Sequence, residues 1–298
     1  MREEINNGAA IAKAAPNPSF VKLASVWKKL RRSYSAMIGG GLVLIFILIA
    51  YVGPYFTPYG PREQNVINKL ALPSSEHLLG TDHLGRDIFS RIIHGMSITL
   101  EVGFVSVVIG LIIGVFLGII AGYYGGRIDT IIMRFMDILL AFPGILLAMA
   151  IVSVLGPAIV NVIIAVGIFS VPVFARIVRG STLAVRKLEY IDAIRSLGAS
   201  DARIIFKHIL PNVTSPLIVQ ATLSVATSIL TASGLSFLGL GAQPPTPEWG
   251  AMLSDGRAYM YDSAHVATIP GVAIVIVVLA FNLFGDGLRD ALDPKMKN

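Results

Sequence analysis

The chain has 298 residues, of which 54% are hydrophobic and 14% charged, with a mean hydropathy of +0.73. Soluble domains carry about 25% charged residues, so the composition excludes an ordinary water-soluble domain and points to the bilayer. The absence of cysteine excludes a disulfide framework, a thiolate metal site and a cysteine nucleophile. The net charge of +6 carries its information in where the basic residues lie rather than in their sum.

Residues 1–35 are polar and basic with no apolar run, so they read as a tail without a secretory leader. The run Ala36–Phe56 is long enough to span a bilayer, which needs about 20 apolar residues. Residues 57–96 form the loop that follows. Within it, HLLGTDHLGRDIFSRIIHG (77–95) places Asp82 and Arg86 four apart, and likewise Asp87 and Arg91. That spacing, with Ile88, Phe89, Ile92 and Ile93 on one face, predicts a short amphipathic helix stapled by two ion pairs. His77, His83 and His94 match no metal-ligand spacing, so no metal site is expected.

Residues 97–290 hold the remaining apolar runs. A second span lies between Glu101 and Arg127 and carries Gly110, Gly114, Gly118 and Gly122 on one helical face. Such a stripe of small residues lets another helix approach closely. Asp137 and Arg176 bracket a run too long for one helix, broken at Gly156-Pro157. It predicts a third span over 131–155, kinked at Pro143, and a fourth over 158–178, with Arg134 and Asp137 as a local pair. The fifth and sixth spans fall at 213–235 and 266–284, followed by a short tail, 291–298.

Six spans put both termini on one side. Nineteen of the 24 basic residues fall in the two tails, the second-to-third junction and the segment between spans four and five, and five fall on the opposite side. By the positive-inside rule both termini are cytoplasmic. No ionisable residue lies near the expected middle of a span, which counts against an ion-coupled secondary transporter. Gln220, Ser224, Thr227, Ser228 and Thr231 recur at helical spacing along span five. They form a candidate wall for a polar pathway, to which Asn161 of span four is added. Gly234-Leu235-Ser236-Phe237 superficially resembles a rhomboid serine motif, with His265 the only histidine downstream.

The segment 180–212 interrupts the apolar pattern. EYIDAIRSLGASDARIIFKHILPN (189–212) carries six charges, apolar residues at helical spacing and a break at Gly198-Ala199-Ser200. It predicts two short helices joined by a glycine elbow, the second capped by Ser200. Its mixed charge suits a protein partner better than an anionic membrane surface.

Asp192-Ala193-Ile194, three residues, Gly198, nine residues and then His208-Ile209-Leu210-Pro211 resembles the EAA motif of ABC-importer permeases, with Asp192, Ile194 and His208 departing from its pattern. Leu79-Gly80-Thr81-Asp82, Gly85-Arg86-Asp87 and Ser90-Arg91 resemble the signature of the C-type subunit of dipeptide and oligopeptide importers. So do Gly234–Gly241 and Pro247–Gly250. The resemblance spans about residues 20–295. It implies an all-α, six-span, type I ABC-importer permease fold in a bacterial or archaeal plasma membrane. It also implies a homologous B-type permease as pore partner, two cytoplasmic ATPases that bind ATP and magnesium, and an external substrate-binding protein. The chain would then be no enzyme, bind no cofactor or nucleic acid, and contact ATPase through Glu189, Asp192, Ala193, Gly198, Ala199, His208, Leu210 and Pro211. No Gly-Lys pair exists in the chain, hence no P-loop. Dipeptides or oligopeptides are the expected cargo. Nickel or another small solute is the alternative within the family.

Overall fold

A computed structural model describes residues 30, 31 and 33–292. Most of the two tails, with their basic residues, lies outside the described residues. Among the described residues, five helices are long and apolar enough to cross a membrane: α1 (Tyr34–Val52, extended by a 3-10 turn to Phe56), α2 (Ile88–Tyr124), α5 (Ile159–Arg186), α8 (Leu210–Phe237, continuous with the turns from Asp201) and α10 (His265–Leu292). The predicted third span is not one kinked helix. It is α3 (Gly126–Ala141) and α4 (Gly144–Leu155), which meet at 92° across Phe142-Pro143. A proline disfavours helical backbone in the residue before it, and Phe142 has left the helix for an extended conformation (ψ 137°).

The broken pair nevertheless follows α5 from end to end. Asp129 bonds Arg179, Met136 packs with Val171 and Ala175, Gly144 faces Phe169, and Ala148 and Val152 pack with Val162, Ala165 and Val166. The pair therefore packs in antiparallel order against α5, and counted as one broken span it brings the candidate crossings from five to six. The predicted local pair is also replaced. Asp137 accepts from Arg176 Nη2 at 2.6 Å, so the ion pair joins two helices instead of one turn of α3.

The glycine stripe of α2 lies against α5. A Cβ at Gly110 would meet Ser170 Cβ at 2.6 Å, one at Gly114 would meet Phe174 Cβ at 2.5 Å, and one at Gly118 would meet Ala175 O at 2.5 Å. The same holds at Gly122 against Thr182. The α2–α5 pair is the spine of the bundle. α8 and α10 pack beside it, and α1 lies against α10 through Gly39 and Gly287. Leu44, Ile45, Leu48 and Tyr51 of α1 face outward, as a lipid-facing helix requires.

Candidate functional site

The 77–95 stretch is not an amphipathic surface helix. Residues 77–87 form tight turns closed by a Thr81–Asp87 bridge, and α2 begins at Ile88. The acid-base spacing serves two other purposes. Asp82 closes a turn, accepting from the Leu84 and Arg86 backbone N–H groups at 2.8 and 3.0 Å and from Arg86 Nε at 2.6 Å. Asp87 does not pair with Arg91 but caps α2, accepting from Ser90 N at 2.7 Å and from His77 Nδ1 at 3.0 Å. Arg91 turns away to donate to Pro61 O at 2.9 Å and lies 3.6 Å from Asp82. All four charged side chains are buried.

This knot ties distant loops together. Arg86 reaches to within 3.7 Å of Asp255 in the short helix α9 (Trp249–Gly256), and Trp249 Nε1 donates to Ile92 O at 3.0 Å. Neither Asp255 nor Pro61 carries a sequence signal for this contact, because both are far off in the chain. The histidines diverge: His77 packs on Tyr59, His83 stacks on Tyr259, and His94 bonds Ser90 O. Among the described residues no group of three His, Asp or Glu side chains could hold a metal ion.

Glu248 caps α9 with both carboxylate oxygens, accepting from Gly250 N and Ala251 N at 2.9 Å each. Burial pushes its carboxyl up from the ordinary range, and the two backbone N–H groups pull it partly back. Because the folded value is raised, the stability that Glu248 contributes is greatest at acid pH and falls as pH rises through that value. Glu248→Gln is expected to flatten this slope in thermal unfolding while keeping one capping bond. Glu248→Ala removes the cap and is expected to cost about 1 kcal/mol or more.

The glycine elbow forms as its spacing predicts. α6 (Glu189–Ser196) ends at Gly198, whose φ of +82° is a left-handed conformation suited to glycine. Ser200 then caps α7 (Asp201–Ile204), its Oγ accepting from Arg203 N at 3.4 Å. α7 is not a separate helix, however. Through a π turn, Ile205–Ile209, it runs straight into α8. Pro211 has no N–H, and its ring crowds the carbonyl four residues back. A widened turn just ahead of it accommodates that crowding. Ile191, Ile204 and Ile209 are fully buried, whereas Glu189, Asp192, Ala193 and Gly198 are exposed. Leu197, at the tip, is 87% exposed. Ala199, His208 and Leu210 are half-buried, and Pro211 is exposed.

The polar stripe of α8 splits. At about 100° per residue its members cover roughly a third of the helix circumference, and that arc straddles an edge of the bundle. Ser224 and Ser228 turn inward and are buried, whereas Thr227 is exposed and Thr231 half-buried. Thr227 and Thr231 donate to carbonyls of their own helix, and Gln220 donates to Ser224 Oγ at 3.1 Å. Gln220 also lines an open cleft of about 590 Å³ with Asn212, Ser215, Leu223, Ile177 and Arg289. Asn161 acts locally, its amide donating to Leu155 O and Gly156 O at 3.0 and 2.9 Å and so closing the α4–α5 hairpin.

Comparison with known proteins places this architecture. Residues 114–298 match the binding-protein-dependent transport system inner membrane component, and residues 22–73 match the N-terminal transmembrane domain of oligopeptide transport permease C. The glutathione transport system permease protein GsiD of Pectobacterium atrosepticum is 52% identical over 91% of each chain. That of Salmonella paratyphi A is 55% identical over 91% of this chain and 90% of its own. The chain belongs to the ABC-importer permeases of the peptide and nickel transport family. As an ABC-importer permease it is a non-catalytic, multi-span component of a bacterial inner membrane. Membership implies a partner permease, an ATPase and a binding protein. In fold, this permease is similar to the inward-facing MetNI methionine ABC transporter, with a TM-score of 0.57 at 22% identity over 69% of this chain and 98% of that one. The rhomboid resemblance has no counterpart in the permease. The Ser236 hydroxyl lies against Gly241, whereas the His265 ring lies against Gly80.

Proposed function

We propose that this permease carries small peptides, with glutathione-like tripeptides and dipeptides as the favoured class, inward through a pore shared with a homologous B-type subunit. Both termini and the 189–212 elbow face the cytoplasm, where two ATPases dock, and an external binding protein delivers the cargo to the opposite side. The observation that carries this reading is the elbow: two buried-rooted limbs that present an exposed, mixed-charge tip on a chain matched along 91% of its length by glutathione permeases. The uncharged polar groups Gln220, Thr227 and Thr231 supply a pathway wall suited to a backbone-like solute. ATP can drive the cycle only if it binds the two pore states with different free energies, so the elbow must transmit its position rather than absorb it.

Proteoliposomes holding the assembled importer test this reading. Binding-protein-dependent, ATP-dependent accumulation of labelled glutathione or a dipeptide is the expected result. Accumulation of nickel alone would move the cargo assignment, and uptake driven by an ion gradient without the ATPase would overturn the function. Gly198→Val is expected to strain the elbow by about 1–3 kcal/mol, because nothing surrounds the site and only its positive φ excludes a branched side chain. Together with Asp192→Lys, it should lower uptake about tenfold while the permease still inserts. Normal uptake in both variants would refute docking at this segment.

A further inference from the structure

Tyr123 lies one residue from the end of α2 and is only 4% exposed. Its hydroxyl donates to Asp201 Oδ1 at 2.6 Å. Arg195 Nη2 approaches the same phenol oxygen at 3.5 Å, with the guanidinium carbon 5.8 Å from the ring centroid. Arg195 is in the last turn of α6, and Asp201 is the first residue of α7. One phenol therefore holds both limbs of the elbow, one on each side of Gly198. The anchor itself is firm, because the preceding Gly122 is packed directly on Thr182 and Arg179 O of α5. The turn that Tyr123 bridges has no side-chain packing of its own at its centre: a Cβ at Gly198 would meet nothing within 4 Å. Ile191 and Ile204 root the limbs by apolar burial, which is non-directional. The second limb takes its direction from α8, and the directional contacts to Tyr123 set the elbow's position against the end of α2.

We propose that Tyr123 is a positioning residue for energy coupling: its hydroxyl joins the two limbs of the elbow to α2, so that displacement of the elbow moves α2 as well. This rests on the reading of the elbow as the ATPase-docking piece. A hydrogen bond to a carboxylate is short and about twice as strong as a neutral one. Its loss should leave the limbs rooted but let the elbow shift relative to α2. Tyr123→Phe removes the hydroxyl and keeps the buried ring.

The chain has no cysteine, so single reporters can be introduced cleanly into the assembled importer. Leu197→Cys at the exposed elbow tip reports docking by cross-linking to an ATPase subunit. Leu78→Cys, 57% exposed ten residues before α2, carries a spin label that reports the far end of α2 when ATP and magnesium are added. With Tyr123 intact, the expected result is a cross-link from the thiol of Leu197→Cys and an ATP-dependent change at the label on Leu78→Cys. In Tyr123→Phe the cross-link persists, but the ratio of shifted to unshifted label falls about tenfold, the effect of losing roughly 1.4 kcal/mol. Asp201→Ala should behave alike, and the double variant should be no worse than either single one. An unchanged label response in Tyr123→Phe overturns the proposal, as does the absence of any ATP response with Tyr123 in place. Loss of assembly with an unchanged label ratio in the remaining complex shows a purely structural tyrosine and also overturns it. Absence of the Leu197→Cys cross-link when Tyr123 is intact refutes ATPase docking instead.

Discussion

Arg86→Met is expected to destabilise the protein around the start of α2 by about 3–5 kcal/mol, the effect of removing one partner from a buried ion pair. Arg86 and Asp82 are 2% and 5% exposed, and the Nε–Oδ2 distance is 2.6 Å. Without the guanidinium, Asp82 keeps its bonds to Leu84 N and Arg86 N but has only Arg91, at 3.6 Å, to balance its charge. Asp255 loses its contact as well. A methionine fills the space without supplying charge, so the loss reports electrostatics rather than a cavity. The midpoint of thermal unfolding in detergent should drop clearly. Asp82→Asn combined with Arg86→Met should recover part of the loss, because the carboxylate that lost its 2.6 Å partner is then neutral; the recovery is partial because buried Arg91 gives up its own carboxylate at 3.6 Å. A single variant within about 1 kcal/mol of the parent would show that the knot is incidental to stability.

The second large effect is expected at the α2–α5 contact. A side chain at Gly114 starts 2.5 Å from Phe174 Cβ and 2.8 Å from Val171 O. Neither neighbour is the far end of a flexible chain, so the helices themselves must separate. Gly114→Leu should lower stability by at least the roughly 1–3 kcal/mol typical of overpacking, and it should open the adjacent contacts at Gly110 and Gly118 too. Gly180→Ala is the matched control. It lies inside α5, and nothing is within 4 Å of its added Cβ. Helix propensity then favours alanine by up to about 1 kcal/mol. Folded yield after extraction, measured by size-exclusion chromatography, separates the two. Equal yields would refute close packing as the reason for the stripe.

The helices and the elbow were legible in the sequence because their causes are local. Apolar runs of span length, glycines every fourth residue, and Gly198 followed by Ser200 each act within a turn or two of chain. The failures share the opposite cause. Acid-base spacing of four fits a helix face, but it also fits a closed turn followed by a helix cap, and that is how Asp82, Arg86 and Asp87 are employed. What decides between them is long-range: Pro61, Pro245 and Asp255 supply the partners that draw the arginines inward. Asp137 likewise chose Arg176 on a neighbouring helix over Arg134 on its own. Pro143 was visible, yet whether a proline kinks a helix or ends it depends on what receives the redirected chain. Here α5 receives both halves. Tyr123 stood at the end of the glycine stripe as one aromatic among many, and only its partners 72 and 78 positions later give it a distinct place.

The length of α2 has a mechanical consequence. Its 37 residues make a cylinder about 55 Å long, against a hydrocarbon layer of about 30 Å. Nearly half of it must tilt or project beyond the lipid, carrying the Asp82–Arg86 charge knot at one end and Tyr123 at the other. A body of that shape converts angle into distance. A tilt of about 10° about the elbow end sweeps the opposite end through nearly 10 Å, on the order of one helix diameter. A small rotation imposed at one membrane face is thereby geared up at the other.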